Sequence, residues 1–372
     1  MKNLKVAMLS PDRAGGICHY THCLCEALDE SSGLAVNLFT AVDYELKHID
    51  VKFKRFHIYD SVYDSFLAKL LLRLLTFRPD VIHIQFPFRI ENDIRVIKQL
   101  RKAGIKIVYT AHNVLPHERC DKDYDYFGQI YNLVDRIVVH STNNRLELCS
   151  LFKIDESKID VIPMGNFNIF NDFSSEIKIR RSQFGFTEED VVFLFFGMIR
   201  EYKGIEVLLE SFNRLNCANA KLLIVGKLGK KYSEDRTFID SLKKTNIHAV
   251  LEYIPNEEVK SYFELCDVAV LPYINTYQSA VLQLSYALSK LVVVTDVGGL
   301  AETVENGKSG FVVPPKDTEA LKEAIEKLCR MDKRELTKLG EFAKHLADTK
   351  YSWKAIATKT LEVYTEVLNE DR

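Results

Sequence analysis

Short apolar runs of strand length alternate with helical patterns along this chain, and the alternation runs through twice. The first set is Lys5–Ser10, Ala35–Thr40, Asp80–Gln85, Lys106–Ala111, Arg136–Ser141 and Lys158–Pro163. The second is Val191–Phe196, Lys221–Val225, Val250–Ile254, Val268–Pro272, Leu291–Thr295 and Gly310–Pro314. Strands that are apolar on both sides are buried on both faces, which calls for parallel sheets covered by helices. The pattern therefore predicts an α/β chain of two doubly wound, Rossmann-like domains, residues 1–165 and 190–350. A linker over 166–189, rich in Asn, Ser and charge, would join them. A C-terminal helix over 351–372 would pack back toward the first domain. A length of 372 residues agrees, being too long for one ordinary core. In open sheets of this kind ligands sit beyond the carboxyl ends of the strands, so chemistry is sought in the loops that follow them.

Composition narrows the partners. A formal charge of −2 with no polarised half argues against nucleic acid, whose binders carry a basic surplus. The eight cysteines form no CxxC pair and read as reduced thiols of a cytosolic protein. No apolar run reaches transmembrane length. The stretch Phe66 to Phe77, FLAKLLLRLLTF, has two readings. A helix packed on the first sheet is the commoner use of such a pattern, and an interfacial helix in peripheral contact with a membrane is the other.

Three loops could carry chemistry. Strand Val191–Phe196 breaks at Gly197 and gives way to a helix after Gly204, whose one face is Ile205, Leu208, Leu209, Phe212 and Leu215. Arg200 and Lys203 stand between, where two cations and a helix N-terminus suit an anion. Solvated loop charges are the equal alternative. In LPYINTYQSAVLQ a polar loop meets a helix at Gln278, Ser279, Ala280 and Val281, whose cap and free N–H groups form a second anion cradle. Gly15 and Gly16 open a helix after the first strand, as a tight turn or as a place where ligand approaches backbone. His112 and Asn113 follow another strand, either at a ligand or as a backbone cap. There is no GxGxxG or GxxxxGK[ST] motif, which argues against a dehydrogenase or P-loop ATPase. His117 and Glu118 lack the second histidine of a zinc helix. The acids Asp121, Asp123 and Asp125 lack the glycine of a calcium loop and read as a solvated acidic loop, so no metal is assigned.

The order of motifs resembles a retaining glycosyltransferase of family 4 with the GT-B fold. The resemblance rests on the Gly15–Gly16 loop, DVIHIQ, TAHNVLPHE, IPMG, GMIREYKG with its IRxYKG pattern, LPYINTYQSAVL, TDVGGLAETVENGKSGFVVPP and SWKAIATKTLEVY. It implies that Arg200 and Lys203 bind the donor diphosphate and that Gln278 to Val281 offer it backbone donors. It places Gly226, Ile254 and Pro255 at the nucleotide base. His112 would approach the transferred sugar and the reaction centre as a catalytic residue with Arg200 and Lys203, and Gly15, Gly16 and Asn113 would lie on the acceptor side. Members usually carry two glutamates eight residues apart where this chain reads TYQSAVLQLSYALSK; Gln278 or Gln283 is expected to substitute.

The resulting expectation is metal-independent transfer of a sugar, with retention, from a UDP-, GDP- or ADP-sugar to a hydroxyl of a saccharide, lipid-linked or small-molecule acceptor. The setting would be the cytoplasm or the inner face of a membrane, with no cofactor. The rivals are a non-catalytic nucleotide-sugar-binding subunit and a nucleotide-sugar epimerase.

Overall fold

The computed structural model describes residues 4–31, 33–59, 63–87, 93–118, 120–173 and 179–370, with side chains omitted for 63–68. The chain divides into two compact units, Met1–Gly165 with Tyr351–Arg372, and Asn166–Lys350.

The first unit holds a seven-stranded parallel sheet of β1 (Leu4–Ser10), β2 (Leu34–Ala41), β3 (Lys54–Tyr59), β4 (Val81–Ile84), β5 (Lys106–Thr110), β6 (Arg136–Val139) and β7 (Ile159–Val161). Their order is β3-β2-β1-β4-β5-β6-β7, so the winding reverses between β1 and β4. β3, KRFHIY, is absent from the sequence expectation. It is an edge strand paired only with β2 and largely half-buried, so its residues need not be apolar.

The second unit holds a six-stranded parallel sheet of β8 (Val191–Phe196), β9 (Ala220–Val225), β10 (Ile247–Val250), β11 (Val268–Leu271), β12 (Leu291–Thr295) and β13 (Gly310–Val313). The order β10-β9-β8-β11-β12-β13 reverses between β8 and β11. β10 begins three residues before the expected run, because its register is set by pairing Ile247 with Leu222 through Val250 with Val225. Phe193, Phe195, Leu222, Ile224, Val268 and Val270 share a core with Ile205, Leu208, Leu209 and Phe212 of the helix Ile205–Asn213. Each of those four helix side chains contributes about 1.5–3 kcal/mol by leaving water. Leu215 lies beyond the helix end, partly buried against the same core.

Residues 166–189, expected as a linker, fall within the second unit. Asn166 Nδ2 donates to Ala347 O at 2.7 Å, and Arg181 pairs with Asp267 at 2.9 Å, which ties both ends of the stretch to that unit. The acids Asp121 and Asp123 are not loop residues: they open the helix Asp121–Leu133, and Asp123 accepts the Cys120 N–H at 2.8 Å as a reciprocal cap.

The helix Trp353–Asn369 packs on the first unit. Its Ile356, Ala357, Thr360, Tyr364 and Val367 are buried. Arg136 of β6 reaches Asp160 of β7 at 2.6 Å and Glu366 and Glu370 of the helix at 3.1 Å each. His83 of β4 is fully buried, hydrogen-bonded through Nδ1 to the Tyr364 hydroxyl at 2.6 Å and through Nε2 to Thr110 Oγ1 at 2.7 Å. Burial holds its pKa down at about 3, so it is neutral.

The helix Tyr63–Phe77 covers β3; Leu70 and Leu74 are buried, whereas Phe66, Leu67 and Ala68 lie outside the described side chains. Among the described residues no helix is long and apolar enough to cross a membrane.

Tyr364→Phe strands a buried imidazole nitrogen and should destabilise the first unit by about 1–3 kcal/mol. Trp353, the single tryptophan, reports this unit's unfolding in urea. An unchanged midpoint would show that the Tyr364–His83 bond contributes nothing to docking the helix.

Candidate functional site

The winding reversal of the second sheet gathers the cations. β8 ends at Phe196 and the chain turns at Gly197, whose φ is 95°. A Cβ on Gly197 would stand 2.9 Å from Lys203 Nζ and 3.9 Å from Val281 Cγ2. The ammonium and the first turn of the helix Ala280–Ala287 therefore meet over a residue with no side chain. Gly226, at the end of β9, touches the same place: its Cβ would be 2.2 Å from Gly197 O. The β8 loop also lies against the end of β11, since a Cβ on Gly204 would fall 2.0 Å from Pro272 O.

Lys203 closes a one-turn 3-10 helix, Glu201–Lys203, and is only 8% exposed. Its Nζ lies 3.5 Å from Phe196 O and 5.6 Å from the centre of the Tyr273 ring. Among the described residues no carboxylate pairs with it, and its charged neighbour is the like-charged Arg200. Burial first, and Arg200 second, lower its pKa to about 8. Arg200 is half-buried, with Nε donating to Met198 Sδ at 3.1 Å. Ser279 caps the facing helix by accepting the Leu282 N–H at 3.3 Å, leaving the N–H groups of Ala280 and Val281 in the turn that has no intrahelical acceptors. Gln278 precedes the cap, half-buried, its carbonyl accepting from Thr276 Oγ1 at 3.0 Å.

Lys203, Arg200, Gly226, Ser279, Ala280 and Val281 are thus brought to one place. Ile254 and Pro255 lie after β10, the strand beside β9, where Pro255 caps the helix Asn256–Leu265. Gln283 does not join the cluster as expected. It is two residues beyond Val281, about 200° around the helix, and is buried with neither amide atom bonded to a protein group. It therefore faces away from the ammonium.

In the first unit the expected residues again follow strands. Gly15 has φ 90° and donates its N–H to Glu45 Oε2 at 3.0 Å; Gly16 begins the helix Gly16–Asp29, and both glycines are exposed. Asn113 is half-buried, its carbonyl 3.5 Å from the Tyr131 hydroxyl.

His112 differs from its expected role. Its ring is 5% exposed, with Nδ1 3.0 Å from His140 Nε2 and Nε2 3.0 Å from Gln85 Oε1. His140 Nδ1 lies 2.9 Å from the Ile162 carbonyl, which can only accept, so the proton sits on that nitrogen. Burial depresses His140 to about 4 and His112 well below the usual range, the latter helped by His140 and His83. Both rings are neutral. Gln85 Oε1 can likewise only accept, because the Gln85 NH2 is turned to Met8 Sδ at 3.2 Å, so His112 carries its proton on Nε2 and turns its Nδ1 lone pair to His140. Both nitrogens of His112 are thus turned to protein groups. Tyr20 packs edge-on against both imidazoles, at 4.8 Å and 5.2 Å.

Sequence reasoning missed Gln85, His140 and Asp12, although each follows a strand, as His112 does. Asp12, half-buried after β1, has an Oδ2 with no protein partner, and burial pushes its carboxyl up to about 6.

Comparison with known proteins places this geometry. The family model described as "Glycosyltransferase Family 4" matches residues 14–165, and that described as "Glycosyl transferases group 1" matches 176–346. An "Uncharacterized glycosyltransferase" of Methanocaldococcus jannaschii is 29% identical over 62% of this chain and 59% of its own length, so the chain matches about three fifths of that relative. Among solved structures, sucrose-phosphate synthase from Thermosynechococcus elongatus superposes with a TM-score of 0.76 at 20% identity, covering 99% of this chain and all of that one. Anabaena HepE in complex with UDP gives 0.73 at 16% identity, covering 98% of this chain and all of that one. With two family models spanning most of the chain in the expected order, two parallel Rossmann-like sheets and these neighbours, the chain belongs to glycosyltransferase family 4, with the GT-B fold.

Proposed function

We propose that the chain transfers a sugar from a nucleotide-diphosphate donor to a hydroxyl acceptor with retention of configuration and without a metal. The observation that carries this reading is Lys203, a buried ammonium with no carboxylate partner among the described residues, set against a capped helix N-terminus. A buried cation left so is costly until an anion arrives. A diphosphate accepting from Lys203, Arg200 and the N–H groups of Ala280 and Val281 would satisfy all of them, and the UDP bound to HepE supports that assignment.

In this reading the bond from the anomeric carbon to the donor phosphate oxygen breaks as the acceptor oxygen bonds on the same face. The acceptor proton passes to the departing diphosphate. Lys203 and Arg200 hold the charge that develops there, which is the electrostatic role a metal would otherwise fill. Gly226, Ile254 and Pro255 are assigned to the nucleotide. Gly15, Gly16 and Asn113 are assigned to the acceptor. His112 becomes a neutral wall of fixed orientation, with no proton to transfer near neutral pH.

A non-catalytic, nucleotide-binding subunit is the second reading, favoured by the absence of both family glutamates and by Gln283 facing away. Incubating the chain with UDP-, GDP- and ADP-sugars and candidate acceptors separates the two. Nucleotide release that needs an acceptor supports the transferase; release only on adding a partner chain supports the subunit.

Lys203→Ala should cut turnover by about 10²–10³-fold with the fold intact by circular dichroism. Undiminished turnover would remove Lys203 from the mechanism. His112 is expected as the Nε2–H tautomer in 15N-resolved spectra, and Gln85→Leu should abolish that preference. A wild-type His112 protonated on Nδ1 would contradict the hydrogen bond to Gln85.

A further inference from the structure

The segment that carries Arg200 is zipped into the second unit, and this sets Met198 beside it. Beyond β8 the chain runs on extended against the loop after β9. The Ile199 N–H donates to Lys227 O at 2.9 Å, the Gly229 N–H donates to Ile199 O at 2.8 Å, and Ile199 and Leu228 pair in parallel. In extended backbone alternate side chains take opposite faces. Ile199 is fully buried in the core of this unit, so Met198 and Arg200 share the other face. Met198 is 44% exposed, and its Sδ accepts from Arg200 Nε at 3.1 Å. The stem of Arg200 is seated as well, since a Cβ on Gly229 would stand 3.5 Å from Arg200 Cγ. Among the described residues the other methionines are less open: Met8 and Met164 are buried and Met331 is half-buried. A thioether is a weak acceptor, which a guanidinium can leave for a phosphate oxygen. A sulfoxide is polar, and its oxygen is a strong acceptor.

We propose that Met198 is a site of reversible oxidation by peroxide that weakens the grip of Arg200 on a nucleoside diphosphate. The inference rests on the reading of Arg200 as a diphosphate ligand. With hydrogen peroxide, a sulfur lone pair forms the S–O bond as the O–O bond breaks, and the remaining oxygen leaves as water. The thioether loses two electrons and the peroxide gains them. The sulfoxide oxygen then accepts from the guanidinium and competes for it with the diphosphate. Enzymatic reduction of the sulfoxide would return the thioether.

Peroxide treatment followed by calorimetric titration with UDP, GDP and ADP tests the proposal. By mass spectrometry the Met198 peptide should gain one oxygen before those of Met8, Met164 and Met331. For the nucleotide that binds, the dissociation constant should rise about tenfold, as for loss of one charge-assisted hydrogen bond, and recover with methionine sulfoxide reductase. Met198→Leu, which keeps the bulk without the sulfur, should not respond to peroxide. It retains the exposed thiol of Cys120 and so separates the two oxidations. Met198→Gln, which places a permanent carbonyl acceptor at the same position, should bind as weakly as the oxidised chain with no peroxide added. If no nucleotide binds, or if Arg200→Gln binds it as the wild type does, the diphosphate reading of Arg200 falls and the proposal with it. If Arg200→Gln weakens binding but peroxide leaves the wild type unchanged, the proposal alone is overturned. The same holds if Met198→Leu is equally sensitive to peroxide or Met198→Gln binds like the untreated wild type.

Discussion

A lysine ammonium held out of water beside an arginine, with no carboxylate among the described residues to balance it, is the constraint on which the second unit turns. Moving the Lys203 pKa from its usual value near 10.5 to about 8 corresponds to roughly 3 kcal/mol against the charged form. The folded state binds this proton less readily than the unfolded chain. The group therefore disfavours folding below about pH 8, and that penalty is relieved as pH rises toward 10.5. A fold that retains such a charge places it where a ligand can offset the cost. The glycines at 197, 204 and 226 are consistent with this, since each lets backbone or ammonium approach where a side chain would collide.

The same winding produces the first unit's crevice, but the chemistry differs. There the strand ends present neutral, mutually satisfied groups, and the histidine that the family resemblance marks as catalytic is locked by His140 and Gln85. An imidazole with both nitrogens engaged and a depressed pKa shapes a surface and does not move protons. Among the described residues that follow these strands, Asp12 has a carboxylate oxygen with no protein partner.

Much of this was legible in the residues. Twelve strands follow from apolar runs, because a strand buried on both faces admits little else. β3 was not, since an edge strand tolerates the Lys, Arg and His of KRFHIY. β10 was displaced because its pairing with β9 fixes its register more firmly than its hydrophobicity. The IREYKG loop pointed to an anion site, yet nothing local reveals that Lys203 is buried or that Val281 faces Gly197, as both depend on strands distant in sequence. Gln283 was misjudged because a one-letter match ignores the turn of the helix. His140 and Gln85 could have been found by applying to every strand end the attention given to His112.

The central claim is that Lys203 waits for a diphosphate. Titrating its Nζ by 15N-detected resonance, with and without a nucleoside diphosphate, measures this directly. The account predicts a midpoint near 8 in the free protein that rises by about one unit or more when the anion binds. A midpoint at the ordinary lysine value, or one that the nucleotide leaves unmoved, would contradict it.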